Sequence, residues 1–239
     1  MKTAMAMLAI AVLATGEASA HGRLAELSVY DRTEGRRLSV HWHEGRAYVV
    51  GKPGNEYQVT VRNRSREDVL AVVSVDGVNV ISGETAHPGQ TGYVLSAHSS
   101  YDIIGWRKSL AETAAFYFTA LPDSYAARTG RPDNVGVIGV ALFRRKSEPR
   151  PIAPVAPQAR RDGAAAAEQD ARLGTGHGRR EPSYAQHVTF ERASQAPAET
   201  LTLYYDSHRN LVARGIIRQS IPLAPLPRPF PGFVPDPRG

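Results

Sequence analysis

The sequence predicts an all-β protein built as one antiparallel β sandwich, jelly-roll or immunoglobulin-like. Residues 24–146 read as short strands separated by Gly, Pro, Asn and Asp, and strand-type alternation returns after residue 186. The chain has no cysteine, so disulfides and thiolate metal sites are excluded and a packed core alone must hold the fold.

The chain opens with Lys2, an apolar run from Met5 to Leu13, and the small residues Ala18-Ser19-Ala20. A basic start, a short apolar core and an A-x-A site are the order of a secretory signal peptide, so residues 1–20 are expected to be cleaved. The apolar run is about half the ~20 residues of a membrane-spanning helix, which disfavours the alternative of an uncleaved anchor. No later stretch is long and apolar enough to span a bilayer. The mature protein is therefore expected to be periplasmic or secreted.

Residues 21–146 form the first part of the expected sandwich. Tyr57, Val59 and Val61 alternate with Gln58, Thr60 and Arg62, the period of a half-buried strand. Val69-Leu70-Ala71-Val72-Val73 is apolar at every position, which predicts a central strand covered on both faces. Asp76-Gly77 between Val75 and Val78 predicts a two-residue type I′ hairpin, because that turn needs positive φ at both central residues. Gly83, Pro88 and Gly89 open a loop before Tyr93-Val94-Leu95, and Ser100 to Ile104 follows as another strand.

Ser109 with Glu112 resembles a capping box, so a short helical turn is expected to run into the strand-like Phe116-Tyr117-Phe118-Thr119. Leu121 to Asn134 reads as a long connection with a helical turn at Asp123 to Arg128, and Val135 to Phe143 as a long buried strand.

Residues 147–182 combine Pro149, Pro151, Pro154 and Pro157 with an alanine run and Gly174, Gly176 and Gly178. A stretch with so few large apolar residues predicts a disordered insertion or linker. In residues 183–220, His187 to Phe190 reads as a strand, and Leu201, Leu203 and Tyr205 alternate in another. Asp206 to Asn210 reads as a turn, with Leu211 to Ile217 completing a hairpin. A lone hairpin is marginal in water, so these strands are expected to complete the same sandwich. Residues 221–239 carry proline at nearly alternate positions and read as an extended tail, a spacer or a docking peptide.

The strings Val69 to Val80, Gly105-Trp106-Arg107-Lys108-Ser109, Leu121 to Gly130, Asn134 to Val140 and Tyr204-Tyr205-Asp206-Ser207 together resemble a family of exported bacterial proteins of unknown function. The resemblance covers about residues 55–145 and 185–217. It implies that the two β segments are one unit, and it brings no activity with it.

Histidine supplies the sharpest candidate chemistry. Cleavage after Ala20 leaves His21 at the new N-terminus, where α-amine and imidazole chelate a metal together, and His41-Trp42-His43 puts two imidazoles on one strand face. Copper or zinc suits these ligands. His21-Gly22 resembles the start of copper-dependent polysaccharide monooxygenases, with His87 or His98 left to complete a site. The ordinary alternative is histidines on solvated surfaces.

Ser99, Ser100 and Asp102 lie near His98, but no G-x-S-x-G elbow surrounds a serine. Glu84, Asp102, Glu112 and Asp123 are the acids available for a glycosidase pair, against the alternative that they cap turns. Trp106 and Arg107 on one loop, with Tyr125 and Arg128 on another, suggest an aromatic and cationic recognition patch, or else packing at the sandwich end.

The formal charge of +6 favours anionic partners. The ordinary alternative is that the surplus does not mark a folded face: nine bases against five acids fall between Arg144 and Glu181, mostly in the stretch read as flexible, and no nucleic-acid recognition motif accompanies them, so nucleic acid is not expected. The reading is a non-catalytic exported binding or structural module, its partner an envelope protein or an anionic envelope polymer. The alternatives are a histidine-based copper or zinc protein and a carbohydrate-active enzyme of the cell envelope.

Overall fold

A computed structural model describes residues 19–146 and 172–218. The expectations for the signal peptide before Ser19, for the insertion between 147 and 171 and for the proline-rich tail lie outside the described residues.

The strands in chain order are β1 Ala20–His21, β2 Ala25–Asp31, β3 Arg36–Arg37, β4 Val40–His43, β5 Arg46–Val50, β6 Glu56–Asn63, β7 Val69–Val75, β8 Val78–Asn79, β9 Tyr93–Leu95, β10 Ser100–Ile103, β11 Gly105–Arg107, β12 Glu112–Ala120, β13 Val137–Arg144, β14 Leu173–Pro182 and β15 Glu199–Asp206. Two short helices, α1 Tyr125–Arg128 and α2 His208–Ala213, lie in connections. One sheet runs β1-β2-β6-β12-β11, with β3 on β2, β10 on β6 and β14 on β12. The other runs β4-β5-β15-β13-β7-β8, with β9 on β7. β5 joins β15 in parallel, and the other described pairs are antiparallel. The fold is thus a β sandwich, with β15 seated between β5 and β13 in the second sheet.

Alternation places the core. On β6, Tyr57, Val59 and Val61 are fully buried while Gln58, Thr60 and Arg62 are not. They meet Leu27, Val29, Phe116 and Phe118 of the same sheet, and Val73, Val75, Ile138, Val140 and Leu203 from the opposite one, in one apolar cluster. β7 is buried on both faces, as its composition predicts. Its odd positions enter that cluster, while Leu70 and Val72 join Ala141 and Phe143 in a second cluster on the outer face of the second sheet.

Asp76 and Gly77 have φ of 52° and 72°, and Val75 pairs with Val78 across them. This is the two-residue turn that the Asp-Gly pair predicts. Asp tolerates the left-handed region by bonding its side chain locally, and glycine does so without steric cost. The space beside Gly77 is also taken, since a Cβ there would lie 2.7 Å from Asn134 Cβ.

Four expectations need correction. Leu173–Pro182, expected within the disordered insertion, is the ten-residue strand β14, paired along β12 from Ala120↔Leu173 to Glu112↔Pro182. Its glycines supply room: a Cβ on Gly176 would stand 2.1 Å from the Tyr117 ring, and one on Gly178 2.8 Å from Ala115 O. Order here comes from a ladder and close approach, which apolar composition does not register.

Leu211 to Ile217 does not complete a hairpin, because Ser207 caps α2 by accepting from Asn210 N at 3.3 Å and one face of the helix buries Leu211. His187 to Phe190 is not a strand but part of an irregular strap, residues 183–195, across the outer cluster, where Phe190 packs. No helical turn forms at Ser109, whose Oγ accepts from Ala111 N and Glu112 N and bends the chain into β12. The turn expected at Asp123 to Arg128 is α1, capped by Ser124.

Gly77→Ala is expected to lower unfolding free energy by about 1–3 kcal/mol, from the left-handed backbone and the Asn134 contact. Urea unfolding reads this as a lower midpoint at unchanged slope, and an unchanged midpoint would contradict the role given to the turn.

Candidate functional site

Two places concentrate polar groups, one sealed and one open. The sealed one begins at Asp76, which is 1% exposed. Its Oδ1 accepts from Gly136 N at 2.9 Å and from the Tyr205 hydroxyl at 2.5 Å, and its Oδ2 accepts from Thr175 N at 2.7 Å. Beyond Tyr205, the Thr175 hydroxyl lies 2.6 Å from Tyr205 Oη and 2.5 Å from Tyr57 Oη. An ionised carboxylate only accepts, so the direction of the chain is fixed. Tyr57 donates to Thr175, Thr175 to Tyr205, and Tyr205 to Asp76. The four residues come from both sheets, and no sequence motif announced them. Asp76 was legible only as a turn former.

Burial pushes the Asp76 carboxyl up to about 6, with its hydrogen-bond donors opposing the shift. Burial, and then the Asp76 charge, hold the Tyr57 and Tyr205 hydroxyls well above the usual phenol range, so both stay protonated. No wall of this chain opens to solvent at its reacting atoms, since Tyr57, Thr175, Tyr205 and Asp76 are all buried. Its chemistry is that of a core fastening.

The open place is a groove of about 1200 Å3 between the strap 183–195 and the outer face of the second sheet. Leu70 and Val94 floor it, and Phe190 of the strap packs against the cluster beneath. At one end Ser183 N donates to Ala111 O at 2.8 Å and Ala185 N to Leu110 O at 2.7 Å. There the Arg107 guanidinium donates to Ser183 O, to Ser183 Oγ at 3.0 Å and to Tyr93 Oη at 3.3 Å. Burial raises the Tyr93 hydroxyl's pKa and Arg107 opposes the rise.

At the other end Arg192 donates to Pro88 O at 2.9 Å and Gln90 O at 2.5 Å, with its guanidinium 4.2 Å above the Phe143 ring. Arg145 stands 4.7 Å from the Phe190 ring and pairs with Asp68 at 3.1 Å, while Lys146 pairs with Glu191. Four cations thus meet two carboxylates. Among the described residues, Arg107 and Arg192 are held by neutral oxygens and pair with no acid. Tyr184, 83% exposed, lies at the lip, and Val188 and Leu110 are further exposed apolar residues of the lining.

The structure divides the patch expected from Trp106, Arg107, Tyr125 and Arg128. Trp106 is buried, donates from Nε1 to Gly176 O at 3.1 Å and packs 4.8 Å from the Tyr125 ring, so this pair closes the sandwich. Arg107 turns into the groove, and Arg128 lies exposed at the end of α1.

His21 sits exposed on β1 of the first sheet, beside Ser19 Oγ at 3.1 Å. His41 and His43 lie on β4 of the second sheet, where burial and the charge of His208 lower the His41 pKa. Among the described residues no three His, Cys, Asp or Glu side chains gather as a metal site, and no helix is long and apolar enough to cross a membrane. Of the candidate acids, Asp102 accepts from Thr60 Oγ1, Glu112 pairs with Arg180 and Glu84 accepts from Gln90 Nε2.

Sequence reading missed Arg145, Arg192 and the tyrosines of the groove. The doubly apolar β7 was the available signal, since a sheet covered on its outer face needs a covering segment. Compared with protein-family models, with curated proteins and with solved structures, the chain finds no match.

Asp76 has a folded-state pKa above its unfolded value, so the native state binds the extra proton between about pH 4 and 6. Its contribution to stability is fully present below the unfolded pKa and is lost as pH rises through about 6. Relative to Asp76→Asn, the wild type is expected to lose about 3 kcal/mol of stability between acid and neutral pH. Tyr205→Phe, which takes a donor from the buried carboxylate, should cost about 2–3 kcal/mol, and Tyr57→Phe, at the end of the chain, about 1. Urea unfolding across pH tests both, and parallel wild-type and Asp76→Asn profiles would refute the assignment.

Proposed function

We propose that this protein is an exported, non-catalytic binding module whose ligand lies in the groove under the strap 183–195. The observation that carries the reading is the presence of two guanidiniums, Arg107 and Arg192, fixed by neutral oxygens in an open, partly aromatic groove. Such groups keep their charge for an incoming partner, at positions already set by the fold. Asp68 and Glu191 are each tied to a cation, an arrangement that suits a recognition surface better than proton transfer.

The N-terminal order of Lys2, an apolar run and Ala18-Ser19-Ala20 supports delivery to the periplasm or beyond. The partner is then a component of the envelope, and the basic balance of the chain favours an anionic one.

Hydrogen exchange of the full chain, with and without saturating soluble envelope polymers, tests the location. Residues 183–195 and 92–96 are expected to gain protection several-fold while β2 and β6 are unchanged. Protection elsewhere alone, or none, would overturn the groove as the binding seat.

A further inference from the structure

Resting on that reading of the groove, we infer that its ligand is an acidic polysaccharide, a chain of sugar rings bearing carboxylates. The two unneutralised cations stand at opposite ends of the strap, Arg107 at its start and Arg192 near its finish. Charges separated along a groove match an acid that repeats along a polymer better than a single small anion.

Arg192 is the stronger anchor. A guanidinium has five N–H donors, and Arg192 uses two of them, on Pro88 O and Gln90 O, while Phe143 holds its plane. A planar fork so held donates its remaining N–H groups to a carboxylate with little further ordering. Arg107 spends its donors on Tyr93, Ser109 and Ser183, and so contributes field more than direct bonds.

The neutral lining selects sugar over acidic peptide. Gln186 and Gln195 are exposed on the strap and, among the described residues, their amides make no side-chain hydrogen bond. Each amide offers two donors and an acceptor, the pairing that vicinal hydroxyls need. The exposed ring of Tyr184 adds a flat apolar face at the lip, against which the C–H face of a sugar ring can lie.

Fluorescence polarisation of labelled oligogalacturonate with the full chain at low ionic strength tests this. Binding is expected, weakening as salt rises. Gln186→Glu with Gln195→Glu should weaken it about tenfold or more, since it adds two like charges to the groove and removes no internal contact. An unchanged melting temperature checks the fold of that variant. Tyr184→Ala should weaken binding several-fold.

If poly-L-glutamate or a neutral glucan competes as well as oligogalacturonate, while the double variant still weakens binding, the groove stands and the acidic-polysaccharide assignment falls. If oligogalacturonate fails to bind, that assignment falls as well. If it binds wild type and double variant alike, the ligand lies elsewhere and the groove reading falls with it.

Discussion

The buried carboxylate of Asp76 is the constraint around which the sandwich is assembled. A charge in an apolar interior is tolerated only when its lone pairs are filled. Asp76 fills them from Gly136 N before β13, Thr175 N on β14 and the Tyr205 hydroxyl on β15. One side chain therefore ties the β7–β8 turn to three segments that are far apart in the sequence. The hydroxyl relay through Thr175 to Tyr57 extends the tie to β6 in the facing sheet. With no disulfide available, this network gives the two sheets a fixed register that apolar packing alone specifies less sharply.

The same network explains why β14 is ordered. Its glycines give it little apolar area to bury, but Thr175 sits between Tyr57 and Tyr205 and donates its backbone N–H to Asp76. The cost of ordering a glycine-rich strand is offset by the ladder with β12 and by these polar contacts. The tie also fixes β15 beside β13, and so sets the outer face on which the second cluster and the groove are built.

What was legible in the sequence follows from which forces leave a periodic trace. Alternation on β6, double burial on β7 and the Asp-Gly turn are local patterns, and each appears where residue chemistry placed it. β14 was hidden because a glycine read as chain freedom is also the residue that allows Tyr117 to approach. The segment after β15 was misread because Leu211-Val212-Ala213 suits a strand, while a single serine cap turns it into helix. Of the site, Arg107 was legible as a cation beside an aromatic loop. Arg192 was not, since its meaning depends on Phe143 and on two carbonyls some hundred residues away.

A sandwich face left apolar by β7 and β13 must be covered, and this chain covers it with an irregular strap in place of another strand. A strand would have sealed the face with a ladder. The strap is pinned near its ends by arginines on carbonyls and rings and by a few backbone bonds. The cations that fasten the cover therefore also line the space beneath it. Its ion pairs, Arg145 with Asp68 and Lys146 with Glu191, are screened by salt, so the order of residues 183–195 responds to ionic strength in a way that the apolar core does not.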